Sequence, residues 1–87
     1  GREHVTRGKP APDLYLFAAD RLGVDIADCA ILEDSPVGAT GAVASGGYVI
    51  GMCMGTHCAV GHDQRLREIG VAAIAQDYAD VRRELGF

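Results

Sequence analysis

The period of the apolar positions changes repeatedly along the chain. Leu14, Phe17, Ala18 and Leu22 recur at helical spacing. Pro10-Ala11-Pro12 ahead of them sets a helix start, because proline is tolerated in a first turn and fixes φ. Asp13 puts a negative charge where the helix dipole favours one, and Gly23 can supply a left-handed C-cap. Cys29-Ala30-Ile31-Leu32 is a short continuous apolar run. It predicts a strand over residues 29–33 that is buried on both faces. Ser35-Pro36 then offers an N-cap and a helix-compatible proline. Val37 to Ser45 is rich in small residues (Gly38, Ala39, Gly41, Ala42, Ala44), so this helix can pack close to a sheet, and Gly46-Gly47 stops it. Tyr48-Val49-Ile50 predicts a second buried strand and residues 51–61 a loop. His62 to Ile69 predicts a helix and Val71 to Ala75 a third short strand. Tyr78, Val81 and Leu85 mark a closing helix.

The predicted order, α-β-α-β-α-β-α, makes parallel strands with crossover helices on the faces, an α/β core of about three strands. At 87 residues the chain is one small domain. A globule of this size buries only roughly 60–65% of the surface its unfolded chain exposes. A net charge of −4 argues against non-specific nucleic-acid binding, which needs a basic face. No basic amphipathic segment suggests a membrane surface, and no apolar run approaches the ~18–20 residues of a span. Gly1-Arg2-Glu3-His4 is not a signal peptide and reads as the middle of a longer sequence. Cys29, Cys53 and Cys58 are odd in number and lack a CxxC, so the expectation is a reduced, cytoplasmic protein.

Candidate chemistry gathers where the first strand ends. In open parallel sheets ligands bind beyond the carboxyl ends of the strands, and Glu33-Asp34 lies at such an end. The chain turns there, so both carboxylates can approach one ion, and hard oxygens at this edge suit Mg²⁺. Ser35 and the helix N-terminus behind it add donors for an anion. The plain alternative is that Glu33-Asp34 only begins a loop and caps a helix. Lys9, in a stiff loop before Pro10, is either a point charge for phosphate or an ordinary surface lysine. Cys53, His57, Cys58 and His62 are zinc-ligand types, but their spacing is not a usual paired arrangement. Small buried or half-buried cysteines and polar loop histidines are the better account.

Gly8-Lys9-Pro10-Ala11-Pro12-Asp13, then Leu22-Gly23-Val24, then Leu32-Glu33-Asp34-Ser35-Pro36-x-Gly38 resembles the haloacid dehalogenase-like (HAD) hydrolases. The likeness is to their β-phosphoglucomutase-like and sugar-phosphate phosphatase branch, and it covers about residues 7–51. Gly55-Thr56-His57-Cys58 and His62-x-x-Arg65-Leu66 are similar to a tail found in some bacterial members. The resemblance implies a Rossmann-like three-layer core. It also implies a Mg²⁺-dependent phosphohydrolase acting on small phosphate monoesters, sugar phosphates among them, through an aspartyl-phosphate. By the same resemblance Lys9 holds the phosphoryl group and its nucleophile, Asp34 is a direct Mg²⁺ ligand, and Glu33 is a ligand or supports one. Ser35 is on the substrate side.

The chain departs from that pattern in what it lacks. It has no DxD motif to supply the nucleophile; Asp77-Tyr78-Ala79-Asp80 is the nearest pair and is spaced wrongly. The Ser/Thr phosphate motif before the lysine and the substrate-selecting cap are absent too. Thr40-Gly41 and Gly47 stand where relatives carry alanines and a bulkier apolar residue. Residues 1–87 are therefore expected to be the C-terminal part of a HAD-like core, inactive alone, with a small phosphorylated metabolite as the partner of the whole enzyme. A phosphomutase of the same family is the alternative. A second is a non-catalytic half-domain that dimerises or docks through the strand edge left without its neighbour.

Overall fold

The computed structural model describes residues 12–54 and 58–87. Helix α1 (Asp13–Leu22) leads through a single 3-10 turn (Ile26–Asp28) into strand β1 (Ala30–Glu33). Helix α2 (Pro36–Ser45), strand β2 (Tyr48–Met52), helix α3 (His62–Ile69), strand β3 (Ala73–Ala75) and helix α4 (Tyr78–Leu85) follow. The strands form one parallel sheet in the order β1-β2-β3. The α/β order and the parallel, helix-flanked sheet are those the sequence predicts.

Local chemistry explains the boundaries. Gly23 closes α1 in the left-handed conformation at φ 73°. Asp25 caps the 3-10 turn by accepting from the Ala27 amide at 3.1 Å. The Cys29 amide is spent on that turn, bonding Ile26 O at 3.0 Å, so β1 starts one residue later than the apolar run predicts. β2 runs on to Met52, two residues past the predicted strand, because Gly51 and Met52 pair with Ile74 and Ala75. β3 is shorter than predicted and begins at Ala73. Asp77 and Asp80, the spaced pair singled out above, are occupied at the start of α4. Asp77 accepts from the Asp80 amide, and Asp80 accepts from the Gln76 amide, each at 2.8 Å. The Gln76 amide foremost, then the Arg83 guanidinium and the Asp77 backbone amide, hold the Asp80 carboxyl below its ordinary range.

Side-chain alternation splits the core into two layers. Ile50 and Met52 pack with Ala75 and Val81, and Met54 and Leu85 flank them, beneath α4. The opposite face carries Val49 and Gly51 under α2 and α3, with Ala39, Ala42 and Leu66 fully buried. Gly51 is needed there: a Cβ would stand 3.0 Å from Leu66 Cδ1 and 3.2 Å from Ile74 Cδ1. Small residues in α2 therefore let it approach the sheet, as their run along the sequence predicts. Gly47 leaves the space that Ile31 Cδ1 occupies, 2.6 Å from where its Cβ would be. A bulkier residue at that position would displace Ile31.

β1 corrects one expectation. It is not buried on both faces: Ala30 and Leu32 are exposed, Leu32 by 38%, and Ile31 and Glu33 are half-buried. The physical reason is its place at the sheet's edge, with β2 as its one neighbour among the described residues.

Candidate active site

The carboxyl ends of β1 and β2 put Glu33 and Asp34 beside the β2–α3 connection. Parallel pairing sets Glu33 opposite Gly51, on the α2 side of the sheet. There it meets a partner from α1: the Tyr15 hydroxyl donates to Glu33 Oε2 at 2.6 Å and lies 3.1 Å from the Gly38 carbonyl. Gly38 makes room for this. A Cβ on it would sit 2.0 Å from Glu33 Oε1. Burial, then the bond to Glu33, then the negative charge of Glu33 push the Tyr15 phenol from 10.0 up to about 12.

Asp34 goes elsewhere. It lines a cleft of about 220 Å³ with Leu32, Met52, Met54 and Tyr78, and an adjoining one of about 210 Å³ with Met52, Cys53, Met54 and His62. Its residue is exposed, and among the described residues its carboxylate has no hydrogen bond or ion pair. The two acidic side chains thus do not converge as the turn in the sequence suggests; one is held against helices α1 and α2, the other is open at the strand end. Each cleft at Asp34 is smaller than the ~300 Å³ at the low end of ligand pockets. A larger cleft of about 760 Å³ is lined by Cys53, Cys58, Asp63, Arg67, Asp77 and Asp80, but it includes neither Glu33 nor Asp34. Two of its three acids, Asp77 and Asp80, are already engaged at the start of α4; Asp34 is unengaged and lies at the carboxyl end of β1, where parallel sheets place their ligands.

Ser35 is the N-cap of α2, accepting from the Gly38 amide at 3.0 Å. That engages the oxygen as acceptor and leaves its hydroxyl proton for another group. Lys9 lies outside the described residues.

Three of the four zinc-ligand types in this loop, Cys53, Cys58 and His62, fall among the described residues. Cys53 and Cys58 are joined as a disulfide with Cα atoms 4.8 Å apart, and Cys29 is the free thiol. The sequence predicts all three cysteines reduced; here two of them are paired. His57 lies outside the described residues. His62 meets the carbonyl oxygen of Asp34, with Nε2 at 2.9 Å. No group of three or more His, Cys, Asp or Glu side chains able to hold a metal occurs among the described residues.

Sequence reasoning missed Tyr15 and the part His62 plays. Tyr15 falls outside the apolar repeat of α1; the signal was a tyrosine beside that repeat, whose hydroxyl needs a partner when half-buried. His62 gave no sequence signal toward Asp34, which is 28 residues away.

Comparison with known proteins agrees with this architecture. The family described as haloacid dehalogenase-like hydrolase matches residues 1–46. Hexitol phosphatase A of Escherichia coli (strain K12) is 46% identical over 48 residues, 55% of this chain and 22% of that protein. β-Phosphoglucomutase of Bacillus subtilis (strain 168) is 39% identical over 51 residues, 59% of this chain and 23% of that protein. A HAD family hydrolase from Deinococcus radiodurans R1, crystallised with bound phosphate and sodium, superimposes with a TM-score of 0.83 at 35% identity. That superposition covers 92% of this chain and 35% of the Deinococcus chain. The chain therefore spans about a fifth to a third of the length of these relatives. With the matched family covering more than half of its residues, and the parallel sheet superimposing nearly end to end, this chain belongs to the haloacid dehalogenase-like hydrolases, on their β-phosphoglucomutase-like side.

Proposed function

We propose that this chain is the metal-binding corner of a Mg²⁺-dependent phosphohydrolase of small phosphate monoesters, sugar phosphates foremost. The observation that carries the proposal is the open carboxylate of Asp34 at the carboxyl end of β1, where parallel sheets place their ligands. The donor set fits Mg²⁺. That ion typically takes one or two protein carboxylates and fills its remaining positions with water and substrate phosphate, so it needs no cage of three side chains. Asp34 would hold the ion, which supplies charge neutralisation for the phosphoryl group.

Glu33 supports the site from behind: with its carboxylate held by Tyr15 over Gly38, it braces the turn that carries Asp34. Ser35 caps α2, and its hydroxyl proton and the helix N-terminus are donors that would favour the phosphate. Lys9 neutralises the transferred phosphoryl group. Relatives of this kind include a hexitol phosphatase, and a related structure holds phosphate, which favours a sugar-phosphate substrate. The nucleophilic aspartate lies outside these residues, since no DxD occurs in the sequence. Activity belongs to a core in which a strand bearing it lies beside β1.

The test is a chimera in which this chain replaces the matching segment of the E. coli hexitol phosphatase. Phosphate release from a hexitol phosphate should require Mg²⁺ and fall by at least about a hundredfold in Asp34→Asn. The 87-residue chain alone should not hydrolyse p-nitrophenyl phosphate. A folded chimera whose Mg²⁺ dependence ignores Asp34→Asn would remove Asp34 from the site.

The exposed edge of β1, with Leu32 38% accessible, favours a second reading in which the chain associates with another copy or a partner through that strand. Sedimentation showing a stable, well-folded monomer at micromolar concentration would count heavily against it.

A further inference from the structure

We infer that His62 is a positioning residue that sets the direction of Asp34 toward its cation, an inference that rests on the metal role proposed for Asp34. His62 opens α3, and the backbone fixes it there. Its amide bonds Ala59 O at 3.0 Å, Gly61 turns the chain at φ 85°, and Arg65 N bonds Gly61 O at 3.0 Å. One turn on, Leu66 is fully buried against Gly51, so the helix carrying the ring is seated on the sheet. The ring reaches across to β1, where Nε2 lies 2.9 Å from the carbonyl oxygen of Asp34. A carbonyl only accepts, so Nε2 carries the proton and donates.

The bonded carbonyl belongs to the peptide unit joining Asp34 to Ser35. On its far side that unit is held by the Ser35 cap, with Ser35 Oγ 3.0 Å from the Gly38 amide. Fixing the plane from both sides fixes the Cα–Cβ direction of Asp34. The same two residues, His62 and Asp34, line one cleft at the strand ends. Among the described residues this is the hydrogen bond that ties the end of β1 to α3. The Asp34 carboxylate has no side-chain partner among the described residues, so the backbone alone sets where it starts from, and groups that orient a metal ligand typically change metal affinity by about 10–100-fold when removed. The bland account is a histidine that merely satisfies a carbonyl at a helix start and leaves the cation indifferent.

The experiment uses the 87-residue chain with Mn²⁺ as the paramagnetic probe for the Mg²⁺ position, read by broadening of the Asp34 and Ser35 amide signals. His62→Ala should weaken Mn²⁺ about tenfold and move the Asp34 carbonyl-carbon and Ser35 amide-nitrogen signals. His62→Gln puts an amide nitrogen near the position of Nε2 and should restore both. His62→Asn, whose nitrogen falls nearer the Nδ1 position, should not. Should His62→Ala unfold, the Gln and Asn pair carries the same comparison. Unchanged Mn²⁺ affinity in His62→Ala, or Gln and Asn behaving alike, would overturn the inference. If wild type and Asp34→Asn broaden alike, the metal reading of Asp34 fails instead. The Asp34 carbonyl signal then decides whether His62 still sets that residue: movement in His62→Ala upholds the positioning, and no movement overturns it.

Discussion

The Tyr15 hydroxyl donates to Glu33 Oε2 at 2.6 Å, joining the first turn of α1 to the last residue of β1 across 18 residues of sequence. One of two adjacent acids is thereby taken out of contention for the open cleft, and the other is left in it. Tyr15→Phe removes the donor while keeping the ring. A hydrogen bond to a charged group contributes about 1.5–3 kcal/mol, and partial exposure brings this one below that range, so a loss of about 1 kcal/mol is expected in urea unfolding. An unchanged midpoint would show that the bond contributes nothing.

The same pair gives the folded state a pH signature. The Tyr15 phenol is raised from 10.0 to about 12, first by burial, then by the bond to Glu33 and its charge. A group whose folded pKa lies above its unfolded one stabilises fully below the unfolded value. That stability is lost as pH rises through the folded value. The gap in stability between wild type and Tyr15→Phe should therefore be level from about pH 7 to 9 and shrink between 10 and about 12. Unfolding curves of both proteins across that window check the sign; a gap that widens with pH would contradict it.

Ser35 has a structural task whatever its part at the phosphate side. Replacing an N-cap serine by alanine costs typically about 1 kcal/mol, while asparagine or aspartate caps nearly as well. Ser35→Ala should lower the unfolding midpoint, and Ser35→Asn should stay within a few tenths of a kcal/mol of wild type. Thermal unfolding of the three proteins separates the cap from any substrate effect, which Ser35→Asn would expose in the chimera alone.

The Cys53–Cys58 bond closes a loop with a sequence separation of five. A loop this short restrains the unfolded chain modestly, by about 2 kcal/mol in the chain-entropy account. Alkylation of the unfolded, unreduced protein should label one cysteine, Cys29, and reduction should raise that to three while lowering stability by about this amount. Three labels before reduction would show the pair to be free thiols.

Much of this protein is written locally. The Ser35-Pro36 start of α2, the left-handed Gly23, the small-residue face of α2 and the buried run of β2 depend on neighbours within a few residues, so sequence alone places them. Asp34 at a strand end follows equally from the apolar run that stops there. The sequence could not say that the adjacent acids part company. That depends on the register of β1 against β2, which sets Glu33 over Gly51, and on Tyr15 arriving from another helix to hold it. Nor could it say that His62 meets Asp34 or that Cys53 meets Cys58, since loop closure, not spacing along the chain, brings those atoms together. The exposure of β1 is likewise a fact of sheet order: an apolar run is the same in sequence whether a strand is central or at an edge, and only the presence of a neighbour on its second side decides which. Short-range physics thus determined the elements and the acidic corner; packing across the sheet decided which carboxylate is free to act.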